Sequence, residues 1–159
     1  MSIAQPRGTS NSNARGSSAG RRARRAYLMQ HWGDGWLMRC FHCGECLTQL
    51  NVTVDRIIPG ALGGTYERGN IRPACGHCNS IEGSALRDAL RRGHDFWKRP
   101  TPTLRRRPHV VKWSGKLSPG QVNSIRYLLA DGRFSAARIG YEVGCSAATV
   151  RRIARTPVA

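Results

Sequence analysis

Cys40-Phe41-His42-Cys43 and Cys75-Gly76-His77-Cys78 bracket Val54-Asp55-Arg56-Ile57-Ile58-Pro59, Gly63-Gly64 and Asn70-Ile71-Arg72, and Asn79 follows the last cysteine directly. Two Cys-x-x-Cys knuckles about thirty residues apart supply what a tetrahedral four-sulfur zinc site needs, because each tight turn presents two thiolates. The competing readings are paired disulfides, a redox dithiol, or cysteines that merely lie near one another. The first residues lack the apolar core of a secretory signal, so a reducing compartment is expected and disulfides are disfavoured. A redox motif would not need a second copy. Cys40, Cys43, Cys75 and Cys78 are therefore expected to hold a structural Zn2+, with Cys46 left as a small half-buried side chain.

Outward from the knuckles, composition narrows the partner. Among 159 residues, Lys and Arg outnumber Asp and Glu by 26 to 9, a formal charge of +17. Such a balance points to a polyanion. No apolar run reaches the roughly 20 residues of a membrane-spanning helix, and the basic stretches lack a strong apolar face, so nucleic acid is expected rather than a membrane. Nearly all the positive charge is arginine, which suits forked contacts with phosphate and equally suits a GC-rich genome.

Residues 1–17 read as a disordered basic arm of Ser, Asn, Gly and Arg. A helix capped at Ser17 or Ser18 then places Tyr27, Leu28 and Trp32 at helical spacing, up to Gly33-Asp34-Gly35. A strand through Val52–Val54, a Pro/Gly loop, a second strand at Ile71-Arg72 and a helix from Asn79 to about Arg92 follow, the helix offering Ile81, Leu86 and Leu90 as an apolar face. Residues 94–116 have the composition of a basic, proline-containing linker with Arg105, Arg106 and Arg107 at its centre, either solvated or tracking DNA.

Beyond it, Ser118-Pro119-Gly120-Gln121 fits a capping box with proline at the first helical position. Further helices are expected from Ser135 and Ser146, with Gly144 at the turn between them. Ile139, Val143, Cys145, Val150 and Ile153 fall where two crossing helices need apolar side chains. This segment resembles the helix-turn-helix of resolvases and many phage and bacterial DNA-binding proteins. The resemblance implies that Thr149, Arg151 and Arg152 face DNA from the last helix.

The segment between the knuckles carries a second resemblance. Val54-Asp55-Arg56-Ile57-Ile58-Pro59, Gly63-Gly64, Asn70-Ile71-Arg72, the second knuckle with Asn79, and Gly83 are similar to the HNH endonucleases of the ββα-metal group, above all their short zinc-containing phage forms. The resemblance implies that Asp55 and Asn79 bind a catalytic divalent ion, Mg2+ or Mn2+, and that Asn70 holds the loop. The chemistry agrees, since phosphodiester hydrolysis needs a hard cation on oxygen ligands to stabilise developing charge. The alternative for Asp55 is that it caps a turn or pairs with Arg72, and for Asn79 that it caps the helix. Where the family carries a histidine base, this chain has Arg56, whose guanidinium cannot accept a proton. Another histidine, His42 or His77, can take the role; or the cation can generate hydroxide while Arg56 holds phosphate; or the domain only binds DNA.

The expected fold class is α+β: a small zinc-stapled ββα-metal domain over residues 18–93, then an all-α helix-turn-helix domain over 117–155. The expected function is metal-dependent cleavage or nicking of double-stranded DNA by a phage-borne, homing-like endonuclease in the cytoplasm of a bacterial host cell. The alternative is a non-catalytic zinc-containing DNA-binding protein, a regulator or packaging accessory, built on a degenerate HNH site.

Overall fold

The computed structural model describes residues 16–94 and 116–156. The expected arm up to residue 15 and the linker at 95–115, with Arg105, Arg106 and Arg107, lie outside the described residues. Helix α1 (Ser18–Trp32) starts where a serine can cap it: the Ser17 hydroxyl accepts from the Gly20 amide at 3.1 Å. Its second half buries Tyr27, Leu28, Met29 and Trp32, while its first half carries Arg21 and Arg22 exposed and Arg24 and Arg25 half-buried. The first knuckle is set in a two-residue hairpin, β1 (Met38–Arg39) against β2 (Cys46–Leu47), which sequence patterning did not anticipate because strands this short have no period to read.

Strand β3 (Thr53–Arg56) pairs antiparallel with β4 (Ile71–Ala74), in a register that sets Asp55 opposite Arg72 and Thr53 opposite Ala74. Helix α2 (Gly76–Arg91) starts three residues before the expected Asn79, because Cys75 itself is the N-cap, its sulfur accepting from the Cys78 amide. The second knuckle is thus the first turn of the helix. The expected apolar face of α2 is not buried: Ile81 is 52% and Leu90 43% exposed, and Ala89 is the helix's one buried residue.

The carboxyl-terminal segment forms α3 (Pro119–Asp131), α4 (Ala136–Val143) and α5 (Ala147–Ala154). Ser118 and Gln121 make the full capping box, and Ser135 and Ser146 cap the next two helices. Gly144 ends α4 with φ of 81°, a left-handed turn that glycine adopts without strain. Ile139, Val143 and Val150 are fully buried between these helices, with Cys145 and Ile153 packed at the edge.

These helices close over the amino-terminal unit. Ile57 and Ile58, just after β3, belong to the same apolar cluster as Ile125, Leu128, Ile139, Val143 and Val150. Gly69 lies so close to α3 that a Cβ there would sit 2.3 Å from the Tyr127 Cβ. The Asn123 amide donates to the Tyr27 hydroxyl at 3.1 Å, tying α3 to α1. Among the described residues, no helix is long and apolar enough to cross a membrane.

Candidate active site

The sulfurs of Cys40, Cys43, Cys75 and Cys78 all lie within 4.8 Å of one another, with Cys43 and Cys75 at 3.9 Å. A zinc tetrahedron with Zn–S bonds of about 2.3 Å has edges of about 3.8 Å, so this donor set fits the ion. The Cys75 amide also points at the Cys40 sulfur at 3.3 Å, an interaction that favours thiolate. Burial raises the thiols of Cys75 and Cys78, and a divalent cation is what makes four adjacent thiolates tenable there. Cys46 is exposed on the hairpin and outside the cluster.

Alternation along β3 sends Thr53 and Asp55 to one face and Val54 and Arg56 to the other. Asp55 is buried, and its Oδ2 accepts from Arg72 Nε at 2.8 Å and from His42 Nε2 at 3.0 Å. Burial by itself would raise this carboxyl, yet the Arg72 charge and the His42 hydrogen bond outweigh it and hold the group below the usual carboxylate range. Arg72, fully buried against the Phe41 ring, reaches onward with Nη1 to the Glu142 carbonyl at 2.8 Å and to Glu142 Oε2 at 3.0 Å. Arg138 pairs with the other Glu142 oxygen. Asp55, Arg72, Glu142 and Arg138 thus form one chain of alternating charge running from the strand into α4. No hydrogen bond among the described residues ends on Asp55 Oδ1.

Asn79 is half-buried on the first turns of α2. Its Nδ2 donates to Thr53 Oγ1 at 3.2 Å, and that hydroxyl donates in turn to the Ala74 carbonyl at 2.7 Å. The amide orientation is thereby fixed, with its oxygen, the hard ligand atom, uncommitted among the described residues. Asn70 is wholly buried and clamps the loop: its Oδ1 accepts from the Ile58 amide at 2.7 Å, and its Nδ2 donates to the carbonyls of Ile58 at 3.1 Å and Thr65 at 2.8 Å. Gly64 permits this closure, since a Cβ there would fall 1.8 Å from the Ile58 carbonyl oxygen.

Arg56 is occupied by the same loop. Its guanidinium lies over the Tyr66 ring at 4.4 Å, donates to the Gly64 carbonyl at 3.3 Å, and packs against Gly60. His42 meets Asp55, whereas His77 is exposed on the opening turn of α2. In α5, Arg151 and Arg152 are exposed and Thr149 is half-buried beside Ser146. Sequence reading overlooked Glu142 altogether and treated Arg72 only as a partner Asp55 could have. The signal was present: one acidic residue sits among the apolar positions of α4, and the strand register sets Arg72 across from Asp55.

A family model for HNH endonucleases matches residues 40–94, the segment that runs from the first zinc knuckle to the end of α2. The match suggests a nuclease-type function and a DNA substrate for that segment. No curated protein and no solved structure matches the chain.

Proposed function

We propose that this chain is a metal-dependent HNH-type DNA endonuclease that nicks or cuts double-stranded DNA, directed to its sites by a carboxyl-terminal helix-turn-helix in the manner of phage-borne homing enzymes. The observation that carries the reading is the coincidence of the HNH match with the four-thiolate cluster and with Asp55, Asn70 and Asn79 in their expected order. Asp55 Oδ1 and the Asn79 amide oxygen are the hard donors that would hold Mg2+ or Mn2+. The ion, when bound, would stabilise charge on the phosphate oxygens and lower the pKa of coordinated water. Asn70 keeps the loop closed behind Asp55, His42 and Arg72 fix the Asp55 carboxylate, and Arg151, Arg152 and Thr149 read or grip DNA. Without a base at position 56 the rate is expected to fall by about 10² to 10⁴ relative to a site that has one, which leaves a slow enzyme rather than none.

A second reading has its own observation: Asp55 Oδ2 is already engaged by Arg72 and His42, and Arg56 by the loop, which is the arrangement of a scaffold that holds DNA without cutting it. Plasmid cleavage by the zinc-loaded chain with magnesium, with manganese and without divalent ion separates the two. Metal-dependent cutting by the wild type that is abolished in Asn79→Ala, with Arg56→His faster, establishes the nuclease. No cutting by the wild type under any ion, with cutting by Arg56→His, establishes the disabled scaffold.

A further inference from the structure

The first half of α1 is locally unfavourable. Arg21, Arg24 and Arg25 stand at i, i+3 and i+4 on one face, near a helix N-terminus whose dipole disfavours cations, and no acidic residue lies in the first turn to offset them. Local choices that oppose stability concentrate at functional positions. The same three arginines line a cleft of about 420 Å³ together with Thr53, Tyr66 and Asn79. Among the described residues no carboxylate lines it. Two arginines hold Tyr66, with the Arg24 guanidinium 4.6 Å and the Arg56 guanidinium 4.4 Å from its ring centre, so this part of the lining is fixed by cation–ring contacts.

We propose that this cleft is a binding site for the sugar–phosphate backbone of a DNA strand, in which Arg21, Arg24 and Arg25 contact phosphates and lead the strand to Asn79. The chemistry follows from the donors. Arginine forks match phosphate oxygens two at a time, and three of them on one helical face follow successive phosphates without reading bases. A single small anion would satisfy one fork and leave the rest of the cleft unexplained. The cleft rests on the nuclease reading only in placing the strand beside Asn79; its affinity for backbone does not depend on cleavage.

The test is the salt dependence of binding to a fluorescein-labelled duplex of random sequence, measured by anisotropy on the zinc-loaded full chain without magnesium. Each lost phosphate contact lowers the slope of log affinity against log salt by about 0.9, so Arg21→Gln/Arg24→Gln/Arg25→Gln is expected to lower it by about 2 to 3. The melting temperature of Arg25→Gln is expected to hold or rise, since a like charge has been removed, whereas loss of an arginine with a purely structural role would lower it. Arg22→Gln, on the same helix but outside the cleft lining, is expected to leave the slope in place. Arg25→Gln alone is expected to lower it by about 0.9, which keeps the test decisive if the triple variant does not fold. An unchanged slope in Arg25→Gln, or an equal fall in Arg22→Gln, overturns the cleft in favour of diffuse surface charge. A chain that loses slope in the triple variant but never cuts plasmid keeps the cleft and loses the nuclease; a chain that cuts through Asn79 with the slope intact loses the cleft alone.

Discussion

Asn70 satisfies three backbone groups with one amide, donating to two carbonyls and accepting from one N–H, with the two bonds to Ile58 buried. Asn70→Ala orphans all three, and the cost is expected to be about 3 kcal/mol, read as a fall in the urea midpoint at constant slope. Asn70→Asp is expected to fare no better, since it turns an oxygen toward two carbonyls; recovery by aspartate would show that the Ile58 amide alone matters. Asp55 presents a different balance. It closes the alternating series with Arg72, Glu142 and Arg138, so Asp55→Asn leaves a buried cation under-compensated, and a loss of about 3 kcal/mol is expected. Cleavage assays on Asp55 variants therefore need a melting curve beside them, whereas Asn79, half-exposed and bonded once, separates catalysis from folding. Asp34 supplies a pH signal: amides of Leu37 and Trp36 hold its carboxyl below the usual range, so its contribution to the turn is present above about pH 4 and disappears as pH falls through the lowered value. The fluorescence of exposed Trp36 is expected to report that transition, and Asp34→Ala to abolish it. The candidate residues were proposed from their order along the chain, and Arg72 was already a candidate partner of Asp55. His42 as its second partner was not legible, because it lies on the first knuckle and only the fold brings it to the strand.

The elements were legible in proportion to their length and their caps. Helix α1, the capping box of α3 and the serine caps of α4 and α5 follow from local chemistry that the sequence states outright, whereas the β1–β2 hairpin has two residues per strand, too few to show a period, with the first knuckle in the turn between them. Helix α2 was misplaced at its start, since a cysteine sulfur as N-cap has no counterpart in the usual serine, threonine or aspartate signal. Its exposed Ile81 and Leu90 also show that helical spacing of apolar residues marks a face without guaranteeing a partner. Chelation of the metal is expected to undo the knuckles and the helices together: the Trp32–Phe41 edge contact lies against the first knuckle, and its near-ultraviolet circular dichroism is expected to fall along with the far-ultraviolet signal of α3 to α5. Loss of the near-ultraviolet signal while α3 to α5 keep theirs would show that the zinc clip and the helices fold apart. Gly69 tests the opposite contact. A methyl there strikes the Tyr127 Cβ backbone junction, so Gly69→Ala is expected to cost about 2 kcal/mol, and pairing it with Tyr127→Ala to recover part of the loss.

At the scale of the whole molecule, the junction between the zinc-bearing half and the carboxyl-terminal helices is the stretch least visible in composition and most informative in structure. The linker composition directs attention to a boundary, yet Ile57 and Ile58 are buried in the cluster of α3, α4 and α5, and Arg72 divides its charge between Asp55 on one side and Glu142 on the other. Burial of each isoleucine contributes about 2 kcal/mol, and a severed buried ion pair costs more than the pair gains, so neither half is expected to keep its stability alone. The full chain is expected to melt in one transition, with tryptophan fluorescence and far-ultraviolet circular dichroism superimposed. Glu142→Gln is expected to move both together to lower temperature and to slow cleavage as well, because Arg72 then shifts toward Asp55 and the carboxylate that would hold the cation is more tightly paired. Residues 1–94 expressed alone are expected to show no cooperative transition even with zinc. Two separate transitions, with the first unchanged by Glu142→Gln, would instead mean that the charge chain is incidental to stability and that DNA reading and cleavage are coupled only by their covalent linker.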